Sequence, residues 1–165
     1  MEISEDSTNT IGGKIQASLG GNKVAHQKRT IEQYMNEYWG LILPHLEELP
    51  REIFITLGGN GGSSGAADLI NMIQEVTPDS KITWIGPPPP AKGGSVYPFS
   101  DRRFEDRRNY NKEIEGAVSW FDNVRFINSY EVPGFENGYQ CYGKCDGIHL
   151  KNELADQFIE SANIL

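Results

Sequence analysis

Three short apolar runs rich in β-branched and aromatic residues recur along the chain, over residues 53–57, 82–85 and 124–127, and each is followed by Gly or Asn. Such runs, bounded by turn-forming residues, predict buried strands. Helical periodicity occupies the stretches around and between them. Residues 30–49 open on a Thr30/Gln33 capping box, and residues 66–76 put Leu69, Ile70 and Ile73 on one face. Residues 109–121 do the same with Ile114, Ala117, Val118 and Phe121, and residues 150–165 space Leu150, Leu154 and Phe158 at i, i+4 and i+8. Pro44 predicts a kink or break within the first of these helices. Two weaker strands, over residues 1–4 and 23–25, bring the expected count to five. Strands that alternate with helices demand right-handed βαβ crossovers, so the pattern predicts an α/β fold in three layers around a parallel sheet. No repeat or linker divides the sequence, which predicts a single domain over residues 1–165.

Composition narrows the function. The 165 residues are 38% hydrophobic, as in an ordinary globular domain, and 23 acidic against 15 basic residues leave a net charge of −8. That field repels polyanions and argues against a nucleic-acid partner. No apolar run approaches the roughly 20 residues that cross a bilayer, and the first six residues lack the basic-then-apolar start of a secretion signal. The expectation is a soluble chain without a membrane partner, its compartment and oligomeric state left open. Eighteen glycines and nine prolines cluster where strands end, which predicts elaborate loops on a compact scaffold. Ligands in open α/β sheets bind outside the carboxyl ends of the strands, so residues 5–10, 58–65, 87–108 and 129–149 are the segments to search.

The last of these contains Asp146-Gly147-Ile148-His149. An Asp three residues before a His can fold back so that its carboxylate holds the ring Nδ1–H, leaving Nε2 free as a base; the plainer reading is a helix cap beside a surface ring. A base needs a nucleophile, and Ser7 follows the first strand at the same edge of the sheet. Ser7 after that strand, Gly58-Gly59-Asn60 after the third and Asp146-x-x-His149 before the last helix resemble, in order and placement, the sequence blocks of the SGNH (GDSL-type) hydrolases. The resemblance covers essentially the whole chain. It implies a flavodoxin-like sandwich with strand order 2-1-3-4-5 and a serine esterase site needing no cofactor or metal. Ser7 would be the nucleophile, His149 the general base and Asp146 the residue that orients it, with Ser7, Gly59 and Asn60 around the oxyanion. Two departures stand out. The family's first block reads Gly-Asp-Ser where this chain has Glu5-Asp6-Ser7, and the stretch 26–30 lacks the glycine that supplies a second-block oxyanion donor, so that donor stays unassigned.

Other readings compete for some of the same residues. Gly61-Gly62-Ser63-Ser64-Gly65 fits the nucleophile elbow of α/β-hydrolases, against a plain glycine turn in which Ser64 caps the next helix. Residues 7–12 loosely resemble the phosphate loop of flavodoxins, which would make the chain an FMN electron carrier with no use for Asn60 or His149. Cys141 and Cys145, near Asp146 and His149, are open to three readings: free thiols, a disulfide or a metal site. His26 and His45 suit the surface. The alternating charges of residues 101–108 suit a solvated helix start, or arginines that grip an anionic substrate. The two long loops carry Tyr97, Phe99, Phe104, Tyr130, Phe135, Tyr139 and Tyr142, and Pro87 to Pro90 would stiffen one wall. Aromatic faces beside polar groups favour a small or carbohydrate-linked ester, an O-acetyl sugar for example, with Tyr97, Tyr139 and Tyr142 against it; alternatively, the rings only pack the loops. An inactive glycan-binding relative of the family is the remaining alternative.

Overall fold

The computed structural model describes residues 1–4, 10–141 and 143–165. The order is β1 (Glu2–Ser4), α1 (Ile11–Leu19), β2 (Lys23–Ala25), α2 (Ile31–Asn36), α3 (Trp39–Leu46), β3 (Glu52–Thr56), α4 (Ala66–Val76), β4 (Lys81–Ile85), β5 (Ala91–Lys92), α5 (Asp101–Val118), β6 (Val124–Ile127), β7 (Tyr139–Gln140) and α6 (Asn152–Ser161). Among the described residues the main sheet has five strands, all parallel, in the order β2-β1-β3-β4-β6. This is the expected spatial order. The labels shift because β5, which the sequence pattern does not reveal, pairs instead with β7 in a small second sheet.

The sheet separates two cores. On one face α2 to α5 cover Ile3, Ile53, Ile55, Ile82 and Trp84; on the other α1 and α6 cover Phe54, Ile85 and Ile127. Strand residues two apart share a face, so β3 sends Ile53 and Ile55 one way and Phe54 the other. Both faces are therefore apolar, as a parallel sheet wrapped by helices requires.

Several boundaries differ from the pattern-based expectations. Helix α1 escapes notice because Gly12 and Gly13 sit in its first turn and lower its helix propensity. Gly12 is there for packing: a Cβ would collide with the Glu2 carboxyl and come within 3.1 Å of the Ser4 Cβ, so its absence lets α1 lie close on β1. The helix expected over 30–49 begins at its capping box, with both reciprocal bonds present. Its break comes at Glu37 and Tyr38, ahead of Pro44, which α3 retains. Tyr38 is drawn aside, its ring stacked on His26 at 4.0 Å and its hydroxyl accepting from Arg29 Nε at 2.7 Å. The helix expected from 109 starts at Asp101, capped by the Ser100 hydroxyl, and the charged run forms its first two turns with Arg108 and Glu105 paired at 3.0 Å. Helix α6 is shorter than 150–165 because Asn152 and Asn163 both take left-handed backbone angles at its ends. Among the described residues no helix is long and apolar enough to cross a membrane.

Candidate active site

The carboxyl ends of the strands meet at a cleft of about 230 Å³ lined by Thr10, Asn60, Tyr97, Arg107, Asp146 and His149 among others. Buried hydrogen bonds fix the strand ends that lead to it. Tyr34, a fully buried residue of α2, donates its hydroxyl proton to the Ser4 carbonyl and accepts from the His26 N–H at 2.8 Å, which pins the ends of β1 and β2 together. Trp84 of β4 donates to the Leu57 carbonyl at 3.0 Å and fixes the exit from β3. There Gly58 turns with a positive φ of 113°, and a Cβ on it would strike Ile114. This turn brings Gly59 and Asn60 to the cleft.

The Asp146 and His149 side chains meet as their spacing suggests. The Asp146 Oδ2 lies 2.5 Å from the His149 ring Nδ1, while its Oδ1 accepts the backbone N–H groups of Ile148 at 3.0 Å and His149 at 2.9 Å. Burial pushes the Asp146 carboxyl up, but the bonds from the His149 N–H, its imidazole and the Ile148 N–H outweigh it and hold the group below its usual pKa. Asp146 therefore stays ionised at neutral pH and selects the tautomer with the proton on Nδ1.

A second loop holds that pair in place. The Asp146 carbonyl accepts from Tyr97 N–H at 2.7 Å, the Cys145 carbonyl from Ser95 N–H at 2.8 Å, and the Gly147 carbonyl from Ala91 N–H at 2.7 Å. Glycine is required at this crossing, because a Cβ on Gly147 would overlap the Tyr97 carbonyl and one on Gly94 would overlap Gly147. The lining residues Gly86 to Pro88 are fastened to α5: Arg107 Nε donates to the Pro88 carbonyl at 2.7 Å and Asn111 Nδ2 to the Pro87 carbonyl at 2.8 Å.

Of the residues singled out from the sequence, Gly59, Asn60, Tyr97, Asp146 and His149 share the cleft. Ser7, with Glu5 and Asp6, and Tyr142 lie outside the described residues. Tyr139 is 5% exposed, its ring 6.2 Å from that of Phe135, and it borders an adjoining cavity rather than the cleft itself. Cys141 and Cys145 form a disulfide, which uses both sulfurs that a metal site would need. Ser63 and Ser64 are absent from the lining. Ser63 donates to Glu113 Oε2 at 3.0 Å and Ser64 to Glu32; the cap of α4 is Gly65, not Ser64 as expected, because its left-handed angle turns the chain there. His26 is half-buried against Tyr38 and His45 lies in the last turn of α3. The cleft also recruits Thr10, Gln27, Lys28, Arg107 and Lys151. Thr10 and Arg107 belong to segments picked out from the sequence, and Gln27 and Lys28 to the stretch 26–30 set against the family's second block; Lys151 depends on where α6 begins.

No protein-family model matches the sequence, and no curated protein matches it. Solved structures do. A Streptococcus pneumonia protein provisionally described as a platelet activating factor matches with a TM-score of 0.63 and 17% identity, over 99% of this chain and 81% of that one. A Parabacteroides merdae protein provisionally described as a GDSL-like lipase matches with a TM-score of 0.62 and 14% identity, over 99% of this chain and 94% of that one. The chain has the fold of the SGNH hydrolases.

Proposed function

We propose that this chain is a serine hydrolase that cleaves a small or carbohydrate-linked ester, such as an O-acetyl group, through an acyl-enzyme on Ser7. The observation that carries the reading is the Asp146 carboxyl oxygen 2.5 Å from His149 Nδ1, in the same cleft as Asn60. Ser7 lies three residues from Ser4, at the end of β1, and three from Thr10, which lines the cleft. An imidazole held in one tautomer beside an amide donor suits acyl transfer and has no task in a flavin carrier.

In the first step the Ser7 hydroxyl attacks the ester carbonyl while His149 Nε2 takes its proton. Asp146 stabilises the imidazolium that results. The tetrahedral oxyanion is received by the Asn60 side chain with the Ser7 and Gly59 N–H groups, and collapse expels the alcohol, which takes the proton from His149. Water then repeats the sequence on the acyl-enzyme and releases the acid.

Hydrolysis of a short activated acetyl ester by the wild type, Ser7→Ala and His149→Ala tests the reading. Turnover by the wild type that is lost in both variants supports it. A wild type that binds acetylated sugars without turnover would instead make the chain a glycan-binding module.

A further inference from the structure

The Cys141–Cys145 disulfide has no part in the mechanism proposed above, yet it ends one residue before Asp146. It joins residues only four apart, and in the chain-entropy picture a cross-link over so short a loop adds least to the stability of a whole fold. A chain of 165 residues with an apolar layer on each side of its sheet is long enough to fold around those layers without one. The effect of the bond is therefore local. Within the loop it closes, Gly143 and Lys144 are exposed. Gly143 holds a φ of 76°, and among the described residues nothing lies within 4 Å of where a Cβ would stand, so packing there does not hold the loop.

Two ties bracket the backbone at Asp146. Cys145 is bonded through sulfur to Cys141, which directly follows β7, and the Gly147 carbonyl accepts from Ala91 N–H of β5 at 2.7 Å. Between them the Cys145 and Asp146 carbonyls accept from residues 95–97, of which Ser95 and Val96 are exposed. Opening the sulfur tie leaves one side of Asp146 hung from an exposed loop. The Asp146 carboxylate meets His149 Nδ1 and the N–H groups of Ile148 and His149 together, so its reach depends on how the backbone at 145–146 is aimed. Neither cysteine is fully buried, and Cys145 borders the adjoining cavity that also reaches His149, which gives a small dithiol a way in.

We infer that this disulfide is a redox switch on the candidate site: closed, it keeps Asp146 on His149; opened by a dithiol, it frees the segment and turnover falls. In the opening step a thiolate of the dithiol attacks one sulfur, and the other leaves as a thiolate and takes up a proton. The second thiol of the reductant then displaces the mixed disulfide. Two electrons and two protons pass to the protein, and the reductant departs as its own disulfide. Oxidised glutathione runs the exchange in reverse. The inference rests on the esterase reading for the turnover it controls, whereas the loosening of the segment is measured without catalysis.

Protein treated with oxidised glutathione is compared with the same protein treated with dithiothreitol, and thiols are counted after denaturation. Both cysteines should be masked in the first and free in the second. The amides of Ile148 and His149 bond to Asp146 Oδ1, and on reduction their hydrogen exchange should quicken by about tenfold or more while the amides of β3 and β4 keep their rates. With a short activated acetyl ester, kcat should fall by about tenfold or more with little change in KM, and return on reoxidation. The Cys141→Ser/Cys145→Ser variant should match the reduced protein and ignore dithiothreitol; if it does not fold, the reduced wild type carries the test. Free thiols after oxidation, or unmoved exchange at Ile148 and His149, overturn the inference. So does exchange that quickens throughout the sheet, which would make the bond a staple of the whole fold. Ester turnover that reduction leaves unchanged sinks this inference alone, whereas local loosening in a protein that never hydrolyses the ester sinks the esterase reading alone.

Discussion

At the scale of single residues, the candidate site depends on Asp146 remaining charged. Three hydrogen bonds hold its carboxyl below its usual pKa despite burial. A depressed folded-state pKa contributes stability that is present above the unfolded value, roughly pH 4, and is lost as pH falls through the folded value. Asp146→Asn should therefore show a flatter loss of stability on acidification, read as the urea midpoint against pH. In the proposed mechanism the same change removes the charge that supports the imidazolium, so ester turnover should fall by about 10²- to 10⁴-fold. Asn60→Ala, which removes one of the proposed oxyanion donors, should cost about 100- to 1,000-fold in kcat with little change in KM, measured by steady-state kinetics. The Asp146–His149 pair was legible because its spacing is local: a carboxylate at i reaches both the N–H and the ring at i+3. Asn60 was legible only as part of a pattern shared with a family. Lys28 was reached only as part of the stretch 26–30, and Lys151 was not legible, since nothing in its neighbours says that the residue ahead of α6 meets the cleft.

Secondary-structure elements fix how tightly these residues are held. Helix α4 and strands β2 and β6 lie where they are expected, and in α4 the face of Leu69, Ile70 and Ile73 is the buried one. Where a tertiary contact competes with the pattern, the pattern loses: Gly12 is spent on close packing within α1, and Tyr38 leaves its helix to stack on His26. The crossing of residues 94–97 with 145–147 is another such contact. Gly147 has a φ of 110° and no room for a Cβ, so Gly147→Ala carries both backbone strain and an overlap with Tyr97. About 1 to 3 kcal/mol of stability should be lost, and His149 should be displaced enough to depress activity more than the stability loss explains. Chemical denaturation beside kcat/KM on the folded fraction checks both parts. Where β1 and β2 end, Tyr34→Phe removes the hydroxyl shared by Ser4 and His26 and should cost about 1 to 3 kcal/mol in the same denaturation assay.

Across the whole molecule, the cleft and the opposite end of the sheet carry charge in opposite ways. At the carboxyl ends of the strands Asp146 is stabilised in its ionised form. At the other end of β1, Glu2 is 1% exposed beneath α1, and neither carboxyl oxygen makes a hydrogen bond of ordinary geometry among the described residues. Burial pushes its pKa up, and the Ser4 hydroxyl and Lys23 only partly counter this. The sign is the reverse of that for Asp146. A raised folded-state pKa contributes stability that is present below the unfolded value and is lost as pH rises through the folded one, because the charged form must then be held in an apolar layer. Glu2→Gln keeps the shape without the charge. It should stabilise the protein at neutral pH by about 1 to 2 kcal/mol, with the gain vanishing as both proteins are acidified. Glu2 faces α1 at the start of its strand, while the cleft opens past the ends of the strands, so kcat/KM should not move. Urea midpoints of the two proteins at acidic and neutral pH, with ester turnover measured alongside, separate the two ends. A gain in stability that grows on acidification would mean that Glu2 is held as an anion, and the account of the α1 layer as an apolar cover over β1 would fail with it.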